Sequence, residues 1–488
     1  MLDAARRPTF LRAPRAAVVG GLAAVAAAAW LPVLSRPLSP DEGGFLMVAA
    51  QWGPGTSLYG DYWVDRPPLL IGLFQLADLA GGAVALRVFG ILAVVVSVLL
   101  AGELGRLLAP GRPIAAVAAS ATAAIFLATP FFGTTEVNGE LLALPFLLGG
   151  LVALARRWWA AAGVLAVAAA AVKQSEVDVA VAAVVAIGAL VWQRAWATAA
   201  RGAAAFVAAA LASTAVILAW AAANGTDPAG LWDAVVIFRG RAAEVISASA
   251  SSATDERAHL LLTSFLVSGA AGVVLVALVA LVPGRRGRRR AAAAPLDVRL
   301  VAVALLAWET VVVVAGGSYW LHYLIATVPA LVLLVVATVR HRPERWRWLA
   351  GAVAYAGVTA LASVVALAVV GRPVPDDAGV KQYLAAAAGP GDTAVVAFGD
   401  PAILQAAGLQ SPYPLLWSLP VRVRDPELTE LTRVLAGPDR PTWVVVDGTS
   451  LDTWGVDATA AQPVLDREYI QERVVGNWTV YHVAGREH

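Results

Sequence analysis

The sequence has no cysteine and little charge, and each shortage excludes a class of protein. None of the 488 residues is cysteine, which rules out disulfide bonds and thiolate metal sites. Only 14% of the residues are charged, against about a quarter in an average soluble domain. The net charge is only +2 and the arginines are clustered in short joints, which is not the pattern of a nucleic-acid-binding surface. Most of the surface must therefore face something other than water.

The chain is rich in apolar sequence, at 59% hydrophobic residues. Residues 1–371 are apolar runs with short charged joints, whereas 372–488 have the composition of soluble protein. A helix needs about 20 apolar residues to cross a bilayer. About eleven spans are predicted on this basis: 16–34, 83–105, 113–131, 137–155, 158–172, 177–193, 203–222, 259–282, 299–316, 319–339 and 346–370.

Two of these segments and one further apolar stretch need comment. The first, 16–34, follows an arginine-rich start like a signal peptide, but no small-residue cleavage pattern closes it. It is therefore predicted to be an uncleaved span. The segment 158–172 is short for a span, and the additional apolar stretch 69–80 is open to interpretation as a re-entrant or interfacial helix.

Basic residues are distributed unevenly between the two sets of joints. One set carries two to six arginines in every joint, beginning with Arg6, Arg7, Arg12 and Arg15. The alternate set holds only Arg36, Arg66, Arg87, Lys173, Arg239, Arg241 and Arg257. The positive-inside rule then predicts a cytoplasmic N-terminus. An odd number of spans places the C-terminal segment outside, together with the long joints 35–68 and 223–258.

The C-terminal segment alternates strand-like and helix-like runs. Strands are predicted at Thr393–Phe398, Thr442–Val446, Tyr469–Val475 and Trp478–Val483, with helices at Pro401–Gly408 and Pro426–Ala436. Such alternation is typical of a small α/β domain. No glycine-rich phosphate loop or metal triad is present in this segment, so it is expected to shape or cover a site.

Two adjacent carboxylates, Asp41 and Glu42, open the first outer loop (35–82). On a helix or turn such neighbours point about 100° apart, so one can face a cavity while the other anchors the loop. A structural interpretation also stands, because Asp41 could cap a helix over Gly43–Trp52. The loop continues with aromatic residues that could form a headgroup belt or stack against sugars: Trp52, Tyr59, Tyr62 and Trp63.

Several short motifs together resemble the polytopic GT-C glycosyltransferases. In the first loop these are Asp41-Glu42 after the first span, Tyr59-Gly60-Asp61 and Arg66-Pro67-Pro68-Leu69. Downstream they are Glu136-Val137-Asn138-Gly139-Glu140 and Leu321-His322-Tyr323-Leu324. The similarity is greatest to the protein O-mannosyltransferase and aminoarabinose-transferase-like group (glycosyltransferase family 39-like). It implies an all-α polytopic membrane domain of GT-C fold (1–371) with a small C-terminal α/β extracytoplasmic domain (372–488).

The resemblance also implies an activity. Enzymes of this group transfer a monosaccharide with inversion from a polyprenyl-phosphate donor to an extracytoplasmic acceptor, which here would be a cell-wall glycan, a lipid or a protein. Asp41 matches the family's catalytic aspartate and is expected to act as general base, with Glu42 as its partner that orients the acceptor or a cation. The residues expected to bind substrate are Tyr59, Asp61, Tyr62, Trp63, Glu136, Asn138 and Tyr323.

The leaving group of such a reaction is a polyprenyl phosphate, so fixed cations should stabilise the developing negative charge. The candidates on the outer face are Lys173, Arg66, Arg239, Arg241 and His322. Alternatives stand beside two of these assignments: Lys173 could pair with Glu176, and the two arginines of Leu231–Ile246 could lie on a solvated face. No metal or other cofactor is required, because the donor is a monophosphate, although Asp41 and Glu42 could hold a divalent cation.

Glu309 lies within a predicted span, where a charge is costly unless it faces a partner or a cavity. It is either a hydrogen-bond anchor or a pathway residue, and Glu140 and Asp178 are candidate cavity residues near the outer mouth. A transporter or lipid flippase is the main alternative function, and a membrane scaffold is a second. Transporters usually carry an internal repeat. No internal repeat is visible in this sequence, which favours an enzyme over a transporter. The alanine-, valine- and arginine-rich composition is typical of a high-GC bacterium. An enzyme of the bacterial plasma membrane is therefore predicted.

Overall fold

The computed structural model describes residues 13–53, 56–248, 252–282, 296–370 and 377–485. Sixteen helices come before residue 371 in this part of the chain: α1 Ala13–Ala29, α2 Pro40–Gln51, α3 Pro68–Leu79, α4 Ala83–Leu108, α5 Ile114–Ala128, α6 Gly139–Ala155, α7 Trp159–Val172, α8 Asp178–Trp192, α9 Trp196–Ala223, α10 Pro228–Trp232, α11 Phe238–Ala248, α12 Ser252–Val267, α13 Ala270–Leu281, α14 Val298–Gly316, α15 Val328–His341 and α16 Trp346–Val370. The prediction of an all-α polytopic membrane domain is confirmed.

Six of the described helical segments are long and apolar enough to cross a membrane: Arg15–Val33, Ala83–Leu108, Trp196–Ala223, Val298–Gly316, Leu321–His341 and Pro343–Val370. Four further predicted spans correspond to shorter apolar helices, α5, α6, α7 and α8. The ambiguous stretch 69–80 forms another, α3. The chain is thus a multi-pass membrane protein, and the count of about eleven spans stays a prediction.

The predicted span 259–282 is not one continuous helix. Helices α12 and α13 meet at an angle of 60°. The break comes at Ser268 and Gly269, and Gly269 has a φ of +85° that side-chain-bearing residues rarely adopt. The predicted span thus corresponds to a bent pair of helices, and the bend could not be predicted because an apolar run does not report a left-handed residue inside it.

The membrane domain is organised around α15, which is buried along nearly all of its length. It packs against α5, α13 and α14. Glu103 forms an ion pair with Arg106, and Arg156 joins the same carboxylate. Several arginines on which the predicted orientation depends lie outside the described residues, among them Arg6, Arg7, Arg12, Arg285, Arg286 and Arg288 to Arg290. The orientation of the termini therefore stays a prediction.

The C-terminal segment is a small α/β domain, as predicted. Its sheet has the order β1-β2-β4-β3, with β1 (Ala394–Ala397) parallel to β2 (Trp443–Asp447) and with β3 (Tyr469–Val475) and β4 (Trp478–Val483) antiparallel to their neighbours. Five helices complete the domain: α17 Ala378–Ala387, α18 Ala402–Ala407, α19 Ser418–Arg424, α20 Thr429–Ala436 and α21 Gln462–Glu468. The boundary between the domains at 371–372 lies next to residues that the structure does not describe, and it stays a prediction.

The C-terminal domain packs directly on α2, the helix that begins beside Asp41. A Cβ atom added to Gly43 would lie 2.6 Å from the Cα atom of Ala402 in α18, and one added to Gly44 would lie 2.3 Å from the ring of Trp417. Both distances are too short for real carbon contacts. The two glycines therefore allow α2 and the outer domain to approach each other at backbone distance.

A Gly43→Ala substitution is expected to lower the free energy of unfolding by about 1–3 kcal/mol, because the added methyl group overlaps backbone rather than a movable side chain. Thermal melting and protease cleavage between the domains would measure the effect. Gly188→Ala in α8 is the matched control, since no atom lies within 4 Å of its added Cβ. In both helices alanine is intrinsically better than glycine. Equal melting temperatures for the two variants would contradict the close packing.

Candidate active site

The site begins at the N-terminus of α2. Ser39 is the N-cap: its hydroxyl accepts a hydrogen bond from the Glu42 amide at 3.3 Å, while the Glu42 carboxylate accepts one from the Ser39 amide at 3.0 Å. Pro40 occupies the first helical position, where a missing N–H is tolerated. The structural interpretation of Asp41 as the cap was therefore wrong. Because Ser39 and Glu42 complete the capping box, Asp41 is not needed to cap the helix.

Glu42 is buried and held from three sides. Arg87 of α4 donates to its carboxylate at 2.6 Å, and the amide of Val137 donates at 2.7 Å. Arg87 also donates to the carbonyls of Val33 and Pro37, at 3.0 and 3.3 Å. Burial raises the pKa of Glu42 to about 7, against the opposing effects of Arg87 and the two amides. These contacts favour an anchoring role for Glu42, and its predicted catalytic role has no further support from them.

Asp41 is partly buried and surrounded by charged groups. Burial raises its pKa above the ordinary value, Arg66 opposes that rise, and Glu136 adds to it. His322 and Glu140 also act on its charge, in opposite directions. A carboxylate with a raised pKa is a better proton acceptor than an exposed aspartate. The arrangement is thus chemically suited to removing a proton from an acceptor hydroxyl or amine.

Residues predicted from two distant motifs meet beside Asp41. His322 Nδ1 lies 3.2 Å from Glu136 Oε1, and its Nε2 lies 3.6 Å from Glu140 Oε1. Glu140 in turn forms an ion pair with Lys173, whose Nζ lies 4.7 Å from the centre of the Tyr323 ring. The fold thus brings together the ends of α6, α7 and the 3₁₀ helix Leu321–Thr327. The partner that contacts Lys173 directly is Glu140, not Glu176 as the alternative interpretation held.

A second charged cluster is centred on Asp65. Its carboxylate forms ion pairs with Arg66, at 2.6 Å, and with Arg239 of α11. Arg66 also lies over the ring of Phe45, at 5.6 Å from the centroid. Gln174 donates to the Asp65 carbonyl at 3.1 Å, which joins this cluster to the turn that carries Lys173. Arg66, Arg239 and Lys173 therefore lie on neighbouring parts of one site.

Arg241 is separate from this group. It is exposed and lies 3.8 Å from Asp233, which Arg424 of the outer domain also contacts at 3.0 Å. The prediction that Arg241 binds phosphate beside Arg239 does not fit this placement. Residues two apart on a helix point about 200° apart, so only one of the two can face the site.

A cavity of about 230 Å³ adjoins the two clusters. Its lining includes apolar side chains, among them Ile246, Val312 and Val313, as well as polar ones. The polar lining residues are Glu140, Lys173, Ser175, Glu176, Arg239, Glu309 and Tyr323. Glu140 lines this cavity and also acts on the charge of Asp41, so the cavity and the candidate base share a neighbouring carboxylate.

Two aromatic residues of the first loop pack against the C-terminal domain, although they were predicted to bind substrate. Tyr62 and Trp63 are 6% exposed, and both contact the outer domain. The Tyr62 hydroxyl accepts a hydrogen bond from the Ser411 amide at 3.0 Å, and the Trp63 amide donates to the Pro414 carbonyl at 2.9 Å. The prediction that these two rings stack on sugars fails because the C-terminal domain covers them.

Three other predicted substrate residues have different surroundings. Tyr59 is part-buried, and its hydroxyl donates to the Arg66 carbonyl at 3.4 Å, close to the Asp65 cluster. Asp61 is exposed. Asn138 caps α6, accepting a hydrogen bond from the Leu141 amide at 3.0 Å. Sequence reasoning placed Arg87 on the outer face but gave neither Arg87 nor Asp65 a role in the site; a basic residue near the start of an apolar helix was the available signal for Arg87.

Comparison with known proteins gives a fold-level match. No family model and no curated protein matches the sequence. Solved structures with a similar fold include two of ArnT from Cupriavidus metallidurans. For the structure bound to undecaprenyl phosphate, the TM-score is 0.57 and the sequence identity is 15%, and the match covers 95% of this chain and 98% of that chain. The apo structure has a TM-score of 0.55 and 14% identity, covering 94% and 96%. The predicted fold, a polytopic α-helical membrane domain followed by a small α/β domain, is thereby confirmed as ArnT-like over nearly the whole chain.

Proposed function

We propose that the chain is a glycosyltransferase that moves a monosaccharide from a polyprenyl-phosphate donor to an acceptor outside the plasma membrane, with inversion. The observation that carries this proposal is the position of Asp41: a partly buried carboxylate whose charge is influenced by Arg66, His322 and Glu140, the last of which also lines a cavity within the membrane domain. The likeness to ArnT, an aminoarabinose transferase crystallised with undecaprenyl phosphate, supports a polyprenyl-linked lipid as ligand.

In the proposed reaction Asp41 takes the proton of the acceptor hydroxyl or amine. The acceptor oxygen or nitrogen forms a bond to the anomeric carbon as the bond from that carbon to the phosphate oxygen breaks. Attack from the face opposite the phosphate inverts the anomeric configuration. The electron pair of the broken bond leaves on the polyprenyl phosphate, where Arg66, Lys173 and Arg239 supply positive charge. No metal is required for this step.

The roles of the surrounding residues follow from their contacts. His322 and Glu136 lie against each other beside Asp41, which suits them to orienting the acceptor. Tyr323 presents its ring next to Lys173, where it can contact the sugar or its phosphate. Glu42 and Arg87 hold the start of α2 in place. We assign Tyr59 and Asn138 to shaping the site, because each makes a structural contact within it.

The direct test is transfer of a labelled sugar by the purified protein in nanodiscs. A panel of polyprenyl-phosphate sugars would be offered with cell-envelope extract as acceptor and nucleotide sugars as the comparison donors. We expect transfer from at least one polyprenyl-phosphate sugar and none from nucleotide sugars. If folded protein instead moved a labelled lipid or solute across a vesicle membrane and transferred no sugar, the transporter or flippase alternative would replace the proposal.

The pH dependence of transfer should identify the base. Activity requires Asp41 to be ionised, so kcat/KM should fall as the pH decreases through its pKa, which burial raises. Arg66 lowers that pKa and Glu136 raises it. An Arg66→Met variant should therefore lose activity at a higher pH than the wild type, and Glu136→Gln at a lower pH. Profiles of kcat/KM that do not move in these opposite directions would contradict the assignment.

A further inference from the structure

Three buried carboxylates from separate parts of the chain converge beside the cavity. Glu176 lies in the turn between α7 and α8, Asp178 is the first residue of α8, and Glu309 lies within α14. Each is at most 1% exposed. One oxygen from each lies within 4.8 Å of the others, a spacing that allows all three to contact one ion. We call Glu176, Asp178 and Glu309 the acidic triad.

The triad receives few hydrogen bonds from the described part of the chain. Asp178 and Glu309 accept no hydrogen bond from a side chain outside the triad in the described structure, while their two carboxyl groups lie close enough to share a proton with each other, and Oε2 of Glu176 has no partner. The other Glu176 oxygen accepts only a 3.4 Å hydrogen bond from Ser175. The neighbouring cation, Lys173, forms its ion pair with Glu140. Buried charges without partners are strongly unfavourable, so this group must take up either a cation or protons.

The surroundings favour a cation. Glu176 and Glu309 form part of the wall of the 230 Å³ cavity, so an ion held by the triad has a route of entry and space for water ligands. Carboxylate oxygens are the ligands of hard divalent cations, which keep several waters in such sites. No cysteine is present, and no histidine belongs to the triad, which disfavours zinc.

We propose that Glu176, Asp178 and Glu309 bind a hard divalent cation of the Mg²⁺, Mn²⁺ or Ca²⁺ class at the end of the cavity. The ion ties the α7–α8 turn, which carries Lys173, to α14. It therefore fixes the position of the Lys173 ammonium group relative to the cavity. This site is separate from Asp41 and Glu42, and it does not depend on the proposed glycosyl transfer.

Binding of Mn²⁺ to the metal-stripped protein tests the proposal directly. Electron paramagnetic resonance would count bound Mn²⁺ in nanodiscs of phosphatidylcholine, which carry no net charge. We expect one bound ion per chain, displaced by excess Mg²⁺ or Ca²⁺ and lost in Asp178→Asn and Glu309→Gln. Asp78→Asn is the matched control, because that carboxylate is exposed on α3. Equal Mn²⁺ binding by the wild type and the triad variants would overturn the proposal.

A second measurement uses only the wild type, so it does not rely on the variants folding. An ion that binds the folded state alone stabilises it by mass action. The melting temperature should therefore rise with Mn²⁺, Mg²⁺ or Ca²⁺ and fall again with a chelator, at constant pH. A melting temperature that ignores divalent cations but rises as the pH is lowered would show that the triad holds protons, which would overturn the proposal.

Discussion

Replacing Asp41 with asparagine is expected to lower kcat by about 100- to 10,000-fold, the usual contribution of a general base. Asparagine keeps the size of the side chain but cannot accept the acceptor's proton. The Ser39–Glu42 capping box at the start of α2 stays intact, so the melting temperature should change little. Because the interaction with the proton exists only in the transition state, KM for the donor should also change little.

The matched control is Asp78→Asn, which makes the same chemical change on an exposed residue of the same outer segment, 35–82. It should keep wild-type kcat within a small factor. Transfer by Asp41→Asn at a rate similar to that of Asp78→Asn would show that the base is another residue. Loss of transfer in Glu42→Gln alone, in a protein with normal stability, would exchange the roles of Asp41 and Glu42.

Replacing Arg87 with methionine is expected to destabilise the protein by about 3–5 kcal/mol, the range found when one partner of a buried ion pair is removed. Glu42 would lose the cation that lies 2.6 Å from its carboxylate, in a position with no access to water. The carbonyls of Val33 and Pro37 would lose a donor as well. Melting in detergent, with and without denaturant, would measure the loss.

The pH dependence of this loss has a definite sign. The pKa of Glu42 is about 7 in the folded protein and ordinary in the unfolded one, so the folded state gains protons as the pH decreases towards 5. Without Arg87 that pKa rises further. The difference between the wild type and Arg87→Met should therefore be largest above pH 8 and smallest near pH 5. The double variant Glu42→Gln/Arg87→Met should recover part of the stability, and a lack of recovery would contradict the pairing.

Hydropathy and short motifs were sufficient to predict the architecture. Long apolar runs must be helical in a bilayer because their backbone groups have no other partners there, and the C-terminal strands could be read from their short β-like runs. The pairing of the 321–324 motif with the 136–140 motif, seen as His322 against Glu136, was not predictable from either motif alone. It depends on how α6 and the 3₁₀ helix Leu321–Thr327 pack.

The predictions that were wrong concern contacts between residues that are far apart in the sequence. Tyr62 and Trp63 have the composition expected of a sugar-binding wall, yet residues 411 and 414 of the outer domain contact them instead. Lys173 has a carboxylate three residues away, yet it pairs with Glu140 from another helix. The acidic triad likewise joins residues of α8 and α14. The spacing of residues along the sequence does not indicate which distant residue will contact a given side chain in the folded protein.

The packing of the outer domain on α2 also has a consequence for the order of assembly. The segment with Asp41 is synthesised early, but Ala402 and Trp417, which contact Gly43 and Gly44, follow on the order of tens of seconds later at usual rates of translation. Until then helix α2, which carries the proposed base Asp41, lacks the domain that packs against it. A chain cut short before residue 400 would enter the membrane with its predicted spans complete and its site incomplete, so unfinished copies should lack the proposed transfer activity.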